Sequence, residues 1–432
     1  MVFKYKLLYI LYYFPPLGGA GVIRPLNFVK FLPEMGIEVD VLTIKEIHYH
    51  SYDQSLLNQI PKSVDIKRVE TPEPLRLVRV IKDLVNLFRG ENYRPPDRIS
   101  YGRAPIYKLL RSLIPPDEKI FSVPSLVFGA LKMLSEKKYD WIMTSSPPDS
   151  FHLAGLALKH LTGIPWVADF RDPWHTHHLR RDLNIVSYSI DALMERQVVG
   201  NSDLIVTTTH SLADEFVQRY NFLEEKRVVT ITNGYDPDEV HYSPKMHEDK
   251  WFVFLSCGNF TGRRTALPFL KAVKLLRNSN SELANRFRFR FIGAFKEEEE
   301  VWVRNEGLTD VIEIEGYKEH KEMLKEMLEA DVLLLVLNEE FEPTRIPTRV
   351  YEYLWAGKPI LAIVPPGDTQ RIIRKHNAGL CINSYDPEQI MNSIVDVWNM
   401  VRGGFVVNRE GIGIYSRREL TKKLVKYLKQ LI

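Results

Sequence analysis

Residues 344–368, TRIPTRVYEYLWAGKPILAIVPPGD, decide how the chain is read. A loop runs into a short helix over 348–356, which Gly357 caps and Pro359 forbids from continuing. Residues 360–364 are then wholly apolar and stop at Pro365, Pro366 and Gly367, the pattern of a short buried strand. Arg349, Glu352 and Ala356 fall near one face of the helix, at spacings of three and four. Arginine grips phosphate and glutamate accepts hydrogen bonds from ribose hydroxyls, so this face suits a nucleotide. The same spacing suits an ion pair on the surface of an ordinary amphipathic helix.

Working outward, the helix-and-strand alternation continues on both sides. Around the opening stretch, strands are expected at 251–257, 287–292, 311–315, 332–337, 360–364 and 380–382. Helices fall between them at 266–277, 297–306, 322–330 and 369–376, and the acidic run 297–300 reads as a helix start facing solvent. An earlier series has strands at 7–12, 38–43, 66–69, 141–144, 166–169, 204–209 and 227–231. Its helices are expected at 22–35, 75–88, 150–161, 190–199 and 212–220. The polar, poorly patterned segment 237–250 separates the two series and reads as a linker. The expected organisation is therefore α/β, with two tandem doubly wound parallel-sheet domains at 1–240 and 241–415, and an amphipathic C-terminal helix within 416–432.

Composition agrees with this. A chain of 432 residues is too long for one ordinary core, and 45% apolar with 26% charged residues marks a globular protein. A net charge of +3 gives no reason to expect nucleic acid as a partner. Cys257 and Cys381, each inside an apolar segment, argue against a disulfide framework and suit a reducing compartment such as the cytoplasm. The opening MVFKYKLLYILYYF has the charge and apolar run of a leader, but it feeds directly into PPLGGAG and a helical pattern, so it reads as the first buried strand.

Three further stretches carry polar chemistry. Gly18, Gly19 and Gly21 sit at the first strand-to-helix crossover without the dinucleotide fingerprint spacing; they suit close approach of a phosphate or sugar, or simply a tight turn. DFRDPWHTHH at 169–178 ends a strand, where open α/β sheets bind ligands. Residues 75–111 are basic and proline-rich; they suit an anionic membrane surface, or a solvated helix face with a long connection.

Taken together, IPTRVYEYLWAGKPILA, ITNGYD, PPLGGAG and DFRDPW with SSPP before it resemble the glycosyltransferases of family 4, over nearly the whole chain. The resemblance implies the GT-B fold, two Rossmann-like domains facing across a cleft. It places Glu352 where the family binds the nucleotide ribose, and the loop 258–264, with Gly258 and either Arg264 or Arg263, at the donor diphosphate. Arg349 stands where the family often has lysine, Gly18 and Gly19 at the loop that approaches the donor, and Arg171-Asp172 where many relatives carry His-Asp. His152 joins Arg171 and Asp172 as an acceptor-side candidate. Two positions depart from the pattern. Eight positions before Glu352 stands Thr344 in place of a glutamate, with Glu342 off register, so Thr344, Arg345 or backbone amides take over that contact. Arg171 cannot serve as a base at neutral pH, which leaves Asp172 or Asp169 to orient an acceptor hydroxyl, or Asp172 to cap the next segment.

The implied activity is transfer of a sugar from a nucleotide-diphosphate sugar to a glycan or lipid-linked acceptor, with retention of configuration. Catalysis then rests on stabilising the departing diphosphate, for which Arg264 and Arg349 are the candidates. No cofactor or metal is called for, and the nucleotide sugar is a substrate. The expected location is the cytoplasm, at the inner membrane face if residues 75–111 touch lipid. Other readings fit parts of the pattern: a GT-B-like sugar-nucleotide epimerase or hydrolase, a non-catalytic sugar-nucleotide-binding protein, or a metal hydrolase built on His175, His177, His178, Asp169 and Asp172.

Overall fold

The computed structural model describes residues 4–45, 52–72, 112–177, 180, 183–242, 251–262, 264–338, 341 and 343–432. The expected helix at 75–88, the basic stretch up to 111, and Arg263, Glu342 and His178 lie outside them. The chain forms two compact units, residues 1–232 with 420–432, and residues 233–419.

Among the described residues the first unit holds seven parallel strands: β1 (Tyr5–Ile10), β2 (Ile37–Ile44), β3 (Asp65–Val69), β4 (Trp141–Ser146), β5 (Trp166–Phe170), β6 (Leu204–Thr207) and β7 (Val228–Thr230). Their order is β3-β2-β1-β4-β5-β6-β7, so the winding reverses between β1 and β4, which pair from Leu7↔Trp141 to Ile10↔Thr144. Its helices are α1 (Ala20–Phe31), α2 (Val123–Glu136), α3 (Ser150–Thr162), α4 (Ile185–Asn201) and α5 (His210–Arg219). Helix α1 stops before the expected 35 because Pro33 has no amide to continue it; a short 3₁₀ turn follows, and Gly36 closes it at φ 81°. The strands are apolar on both faces because helices cover both.

The second unit holds six: β8 (Phe252–Cys257), β9 (Phe287–Ile292), β10 (Ile312–Glu315), β11 (Val332–Val336), β12 (Ile360–Ile363) and β13 (Gly379–Ile382), ordered β10-β9-β8-β11-β12-β13. Its helices are α6 (Leu267–Ser279), α7 (Ser281–Ala284), α8 (Glu297–Asn305), α9 (His320–Glu329), α10 (Thr348–Ala356), α11 (Asp368–Lys375) and α12 (Pro387–Arg402). Here the reversal falls between β8 and β11, and the loops that leave those two strands lead to Gly258 and to α10.

The units divide at 232/233, ahead of the expected 240/241. Tyr235 and Val240 already pack in the second unit's core, with Tyr235 stacked on Trp355 (6.3 Å between ring centroids). The last helix, α13 (Arg417–Leu428), does not stand apart: Leu420, Leu424, Val425 and Leu428 pack into the core of the first unit. No described helix is long and apolar enough to cross a membrane.

Candidate functional site

In the second unit the site is built on α10. Every residue from Val350 to Ala356 is buried, so Glu352, 4% exposed, is no member of a surface ion pair. Aromatic side chains fix the helix. Tyr353 accepts at its hydroxyl from the Cys257 amide (3.0 Å) and donates to the Leu334 carbonyl (3.3 Å), tying α10 to the end of β8 and the middle of β11. Gly357 ends the helix at φ 69°, its amide bonded to the carbonyls of Tyr353 and Leu354.

Arg349 is half-buried, and its guanidinium lies against Gly258: an ideal Cβ on that glycine would stand 2.5 Å from Arg349 Nη1. The contact it makes is from Nη2 to Met323 Sδ (3.8 Å); its Nε has no partner, and no carboxylate lies within ion-pair distance among the described residues. The Gly258 loop is held by backbone: its amide donates to Ile292 (2.8 Å), the Phe260 amide to Ala294 (2.7 Å), and Asn259 Oδ1 accepts from the Ala294 amide (3.0 Å). Gly293, at φ 133°, lets the two loops touch, since a Cβ there would sit 2.4 Å from the Gly258 carbonyl oxygen. Arg264 is exposed at the end of this loop, its amide bonded to Thr261 (3.1 Å).

Glu352 Oε1 accepts from His320 Nε2 (3.0 Å), while Oε2 has no hydrogen-bond donor among the described residues. The other ring nitrogen of His320 meets Glu239 Oε1 at 2.7 Å. Glu239 is aimed by a turn in which the Asp238 amide donates to Asp236 Oδ1 (3.1 Å) and the Glu239 amide to the Asp236 carbonyl (3.3 Å). Burial opposes charge on Glu352, but His320, with Arg349 and Arg417 behind it, overrides that and holds its carboxyl below the usual range. Burial likewise opposes charge on His320, and the Glu239 and Glu352 carboxylates raise it to about 10. The sequence reading missed both His320 and Glu239. A histidine in register with Met323, Leu324 and Met327 on an apolar helix face was the available signal for the first.

Around this core, Thr344 and Arg345 are half-buried on the loop before α10. The Arg345 carbonyl accepts from Thr369 Oγ1 (2.9 Å) and its guanidinium lies 5.1 Å from the Phe341 ring centroid. The acidic run at the start of α8 is not wholly solvent-facing: Glu299 is buried and accepts from Thr265 Oγ1 (2.6 Å) and the Ala266 amide (3.0 Å), capping the start of α6.

In the first unit, Gly18 is buried in the loop after β1 and Gly19, at φ 92°, is the N-cap of α1. Arg171 donates to the carbonyls of Ser146 (2.6 Å), Pro147 (3.1 Å) and Gly21, and so staples the segment after β5 to the end of β4 and the start of α1. Asp172 is half-buried beside it. His152 is wholly buried on α3 against Phe170 (4.4 Å between centroids), with Nδ1 2.7 Å from Thr144 Oγ1. Thr144 Oγ1 also accepts from Trp166 Nε1 (2.9 Å), and burial pushes the His152 imidazole down to about 3. Asp169 is likewise committed, to a buried ion pair with Arg24 (2.8 Å) and a bond from Ser145 Oγ (2.9 Å). His175 bonds Asp191 (3.1 Å), and no group of three or more metal-ligating side chains converges among the described residues.

Two parallel sheets whose winding reverses at a loop-lined switch point, with a cation and a buried carboxylate over the second, are the parts of a GT-B glycosyltransferase, and comparison with solved structures agrees on the fold. A glycosyltransferase from Rickettsia africae matches over 99% of this chain and 98% of its own, with a TM-score of 0.62 at 13% identity. A sucrose-phosphate synthase from Thermosynechococcus elongatus matches over 99% and 95%, with a TM-score of 0.62 at 13% identity. WaaG, described as a glycosyltransferase involved in lipopolysaccharide biosynthesis, matches over 98% and 95%, with a TM-score of 0.59 at 14% identity. No curated protein matches the chain in sequence. Residues 22–239 match Glycosyltransferase Family 4, and residues 241–400 match Glycosyl transferases group 1. The chain belongs to this family of glycosyltransferases.

Proposed function

We propose that the second unit binds a nucleotide-diphosphate sugar across Gly258, Arg349 and Glu352, and that the enzyme passes the sugar to a glycan or lipid-linked acceptor with retention of configuration. The observation that carries this reading is a complementary pair left unmatched on one face of α10. Arg349 offers a guanidinium that no carboxylate among the described residues takes up, and one turn on Glu352 offers an ionised carboxylate whose Oε2 meets no donor among those residues. Buried polar groups are normally matched within the protein, so a donor and an acceptor left open three residues apart suit a ligand with an anion and hydroxyls at that spacing. A ribose joined to a diphosphate has both.

In this reading the Gly258 loop allows the diphosphate to approach the backbone, and Arg349, joined by Arg264, meets the charge that grows on it as the glycosidic bond breaks. The departing diphosphate takes the acceptor's proton on the same face of the sugar, so no side chain is asked to act as base. That accords with Arg171 and Asp169, whose bonds run to other groups of the protein. Thr344 and Arg345 lie on the loop assigned to the sugar, and Asp172, Gly18 and Gly19 on the acceptor side. Residues 75–111 are the segment proposed to touch an anionic membrane. Arg349→Ala is expected to lower kcat by about 10²–10³-fold while the fold stays intact. Glu352→Ala is expected to raise the KM for the donor. Near-normal turnover in the arginine variant would end this assignment.

A further inference from the structure

We propose that His320 is a positioning residue for nucleotide recognition: donating from both ring nitrogens, it anchors Glu352 Oε1 to Glu239 and leaves Oε2 presented to the ribose hydroxyls. The proposal rests on the donor site assigned above and adds the residue that sets its geometry.

The argument starts from donors and acceptors. Ionised carboxylates only accept, and both nitrogens of His320 stand within hydrogen-bond distance of glutamate oxygens, 2.7 Å from Glu239 and 3.0 Å from Glu352. A neutral imidazole would turn a lone pair toward one of them; the imidazolium satisfies both. All three side chains are nearly dry, with 10% of His320, 4% of Glu239 and 5% of Glu352 exposed. The charges therefore hold one another with little screening, and the raised value of His320 follows from that geometry.

The ring also fixes direction. Its two nitrogens link the turn ending at Glu239 to α10 through the first residue of α9, so the Glu352 carboxylate cannot rotate without breaking a charge-assisted bond. His320 takes up Oε1 only, and Oε2 has no donor among the described residues, which leaves that atom open to a ligand. It lies on the same helix as Arg349, one turn on, where the ribose would sit if the diphosphate meets the guanidinium.

Titration calorimetry with UDP, GDP, ADP and CDP identifies the nucleoside diphosphate that the wild type binds most tightly, and its 2′,3′-dideoxy counterpart measures what the ribose hydroxyls add. The wild type is expected to prefer the ribonucleotide by about tenfold or more. In His320→Gln, which donates from one end only, that preference is expected to fall to about two- to threefold or less, with the dideoxy affinity little changed. A folded His320→Gln variant that keeps the full preference would overturn the proposal and leave the donor site standing. A wild type that binds the ribo and dideoxy forms equally, or binds none of the four, would remove the donor-site reading and this one with it. If His320→Gln does not fold, Glu239→Gln decides: a reduced preference supports the clamp, and an unchanged one refutes it.

Discussion

The contact between Gly258 and Arg349 makes the sharpest demand on the structure, and Gly258→Ala tests it with one methyl group. Gly258 does not have a positive φ, so its backbone accepts alanine. The new Cβ would stand 2.5 Å from Arg349 Nη1, and ordinary contact begins near 3.4 Å, so the guanidinium must retreat by about 0.9 Å. The group that moves is the end of a flexible side chain, so stability should change by less than about 1 kcal/mol, a shift in Tm of no more than a few degrees. Catalysis is less tolerant, because a misplacement of about 1 Å in a charge-stabilising group costs on the order of 10²-fold. The expected result is a near-native Tm by scanning fluorimetry with turnover, followed as nucleoside diphosphate released from the donor, reduced about a hundredfold. A cycle with Arg349→Ala isolates the cause. If the methyl acts by displacing Arg349, it should cost less than about threefold once that arginine is gone. A full hundredfold loss in the Arg349→Ala background would refute the reasoning and place the effect on the loop backbone.

Two predictions concern the first unit. Arg24→Met leaves Asp169 buried without its ion-pair partner and should cost about 3–5 kcal/mol, read as a lowered urea midpoint; adding Asp169→Asn should recover part of it, and a native-like midpoint in the single variant would show the pair to be dispensable. Burial holds His152 neutral down to about 3, against about 6.5 in the unfolded chain, so the unfolded state binds the extra proton between those values. Its contribution is therefore complete above about pH 6.5 and falls on acidification, by about 1.4 kcal/mol per pH unit at most. His152→Gln should lose less stability than the wild type between pH 7 and pH 5, and equal losses would exclude the histidine as the source.

Most of the strands were legible because both faces of each sheet are covered, which writes an apolar run into the chain wherever a central strand passes. Helices were legible only when one face is polar. Helix α2 was not read, and it exposes Phe128 and Leu131 opposite its buried Leu126, Ala130 and Met133, which blurs the period. Helix α12 was missed for a similar reason: Met391, Val395, Trp398 and Val401 half-bury beside its buried Ile390, Ile394 and Val397. Helix α4 begins at Ile185, ahead of the expected 190, because Asn184 caps it by accepting from the amides of Val186 and Ser187, while Ile185, Val186 and Ile190 remain exposed and give no buried stripe to follow.

The site divides along a different line. The sequence pointed to Arg349 and Glu352 through their spacing on one helix face, to Asp169 and Arg171 in a polar cluster at a strand end, and to His152 as an acceptor-side candidate. What separates them is whether the fold supplies a partner, and those partners are remote in sequence. Asp169 meets Arg24 from a different element, Arg171 collects carbonyls from the end of β4 and the start of α1, and His152 shares a threonine with a tryptophan. Glu352 also finds a distant partner, but His320 takes only one of its oxygens, and Arg349 is turned onto a glycine and a thioether with no carboxylate at ion-pair distance among the described residues. A segment read alone carries the residue type and its spacing but not this half-satisfaction, which arises only when α9, α10 and the turn at Glu239 are packed together. The same logic explains why Glu239 had no local signature. It lies in a polar stretch that reads as linker, and becomes part of the site through a histidine that is itself disguised as a core residue.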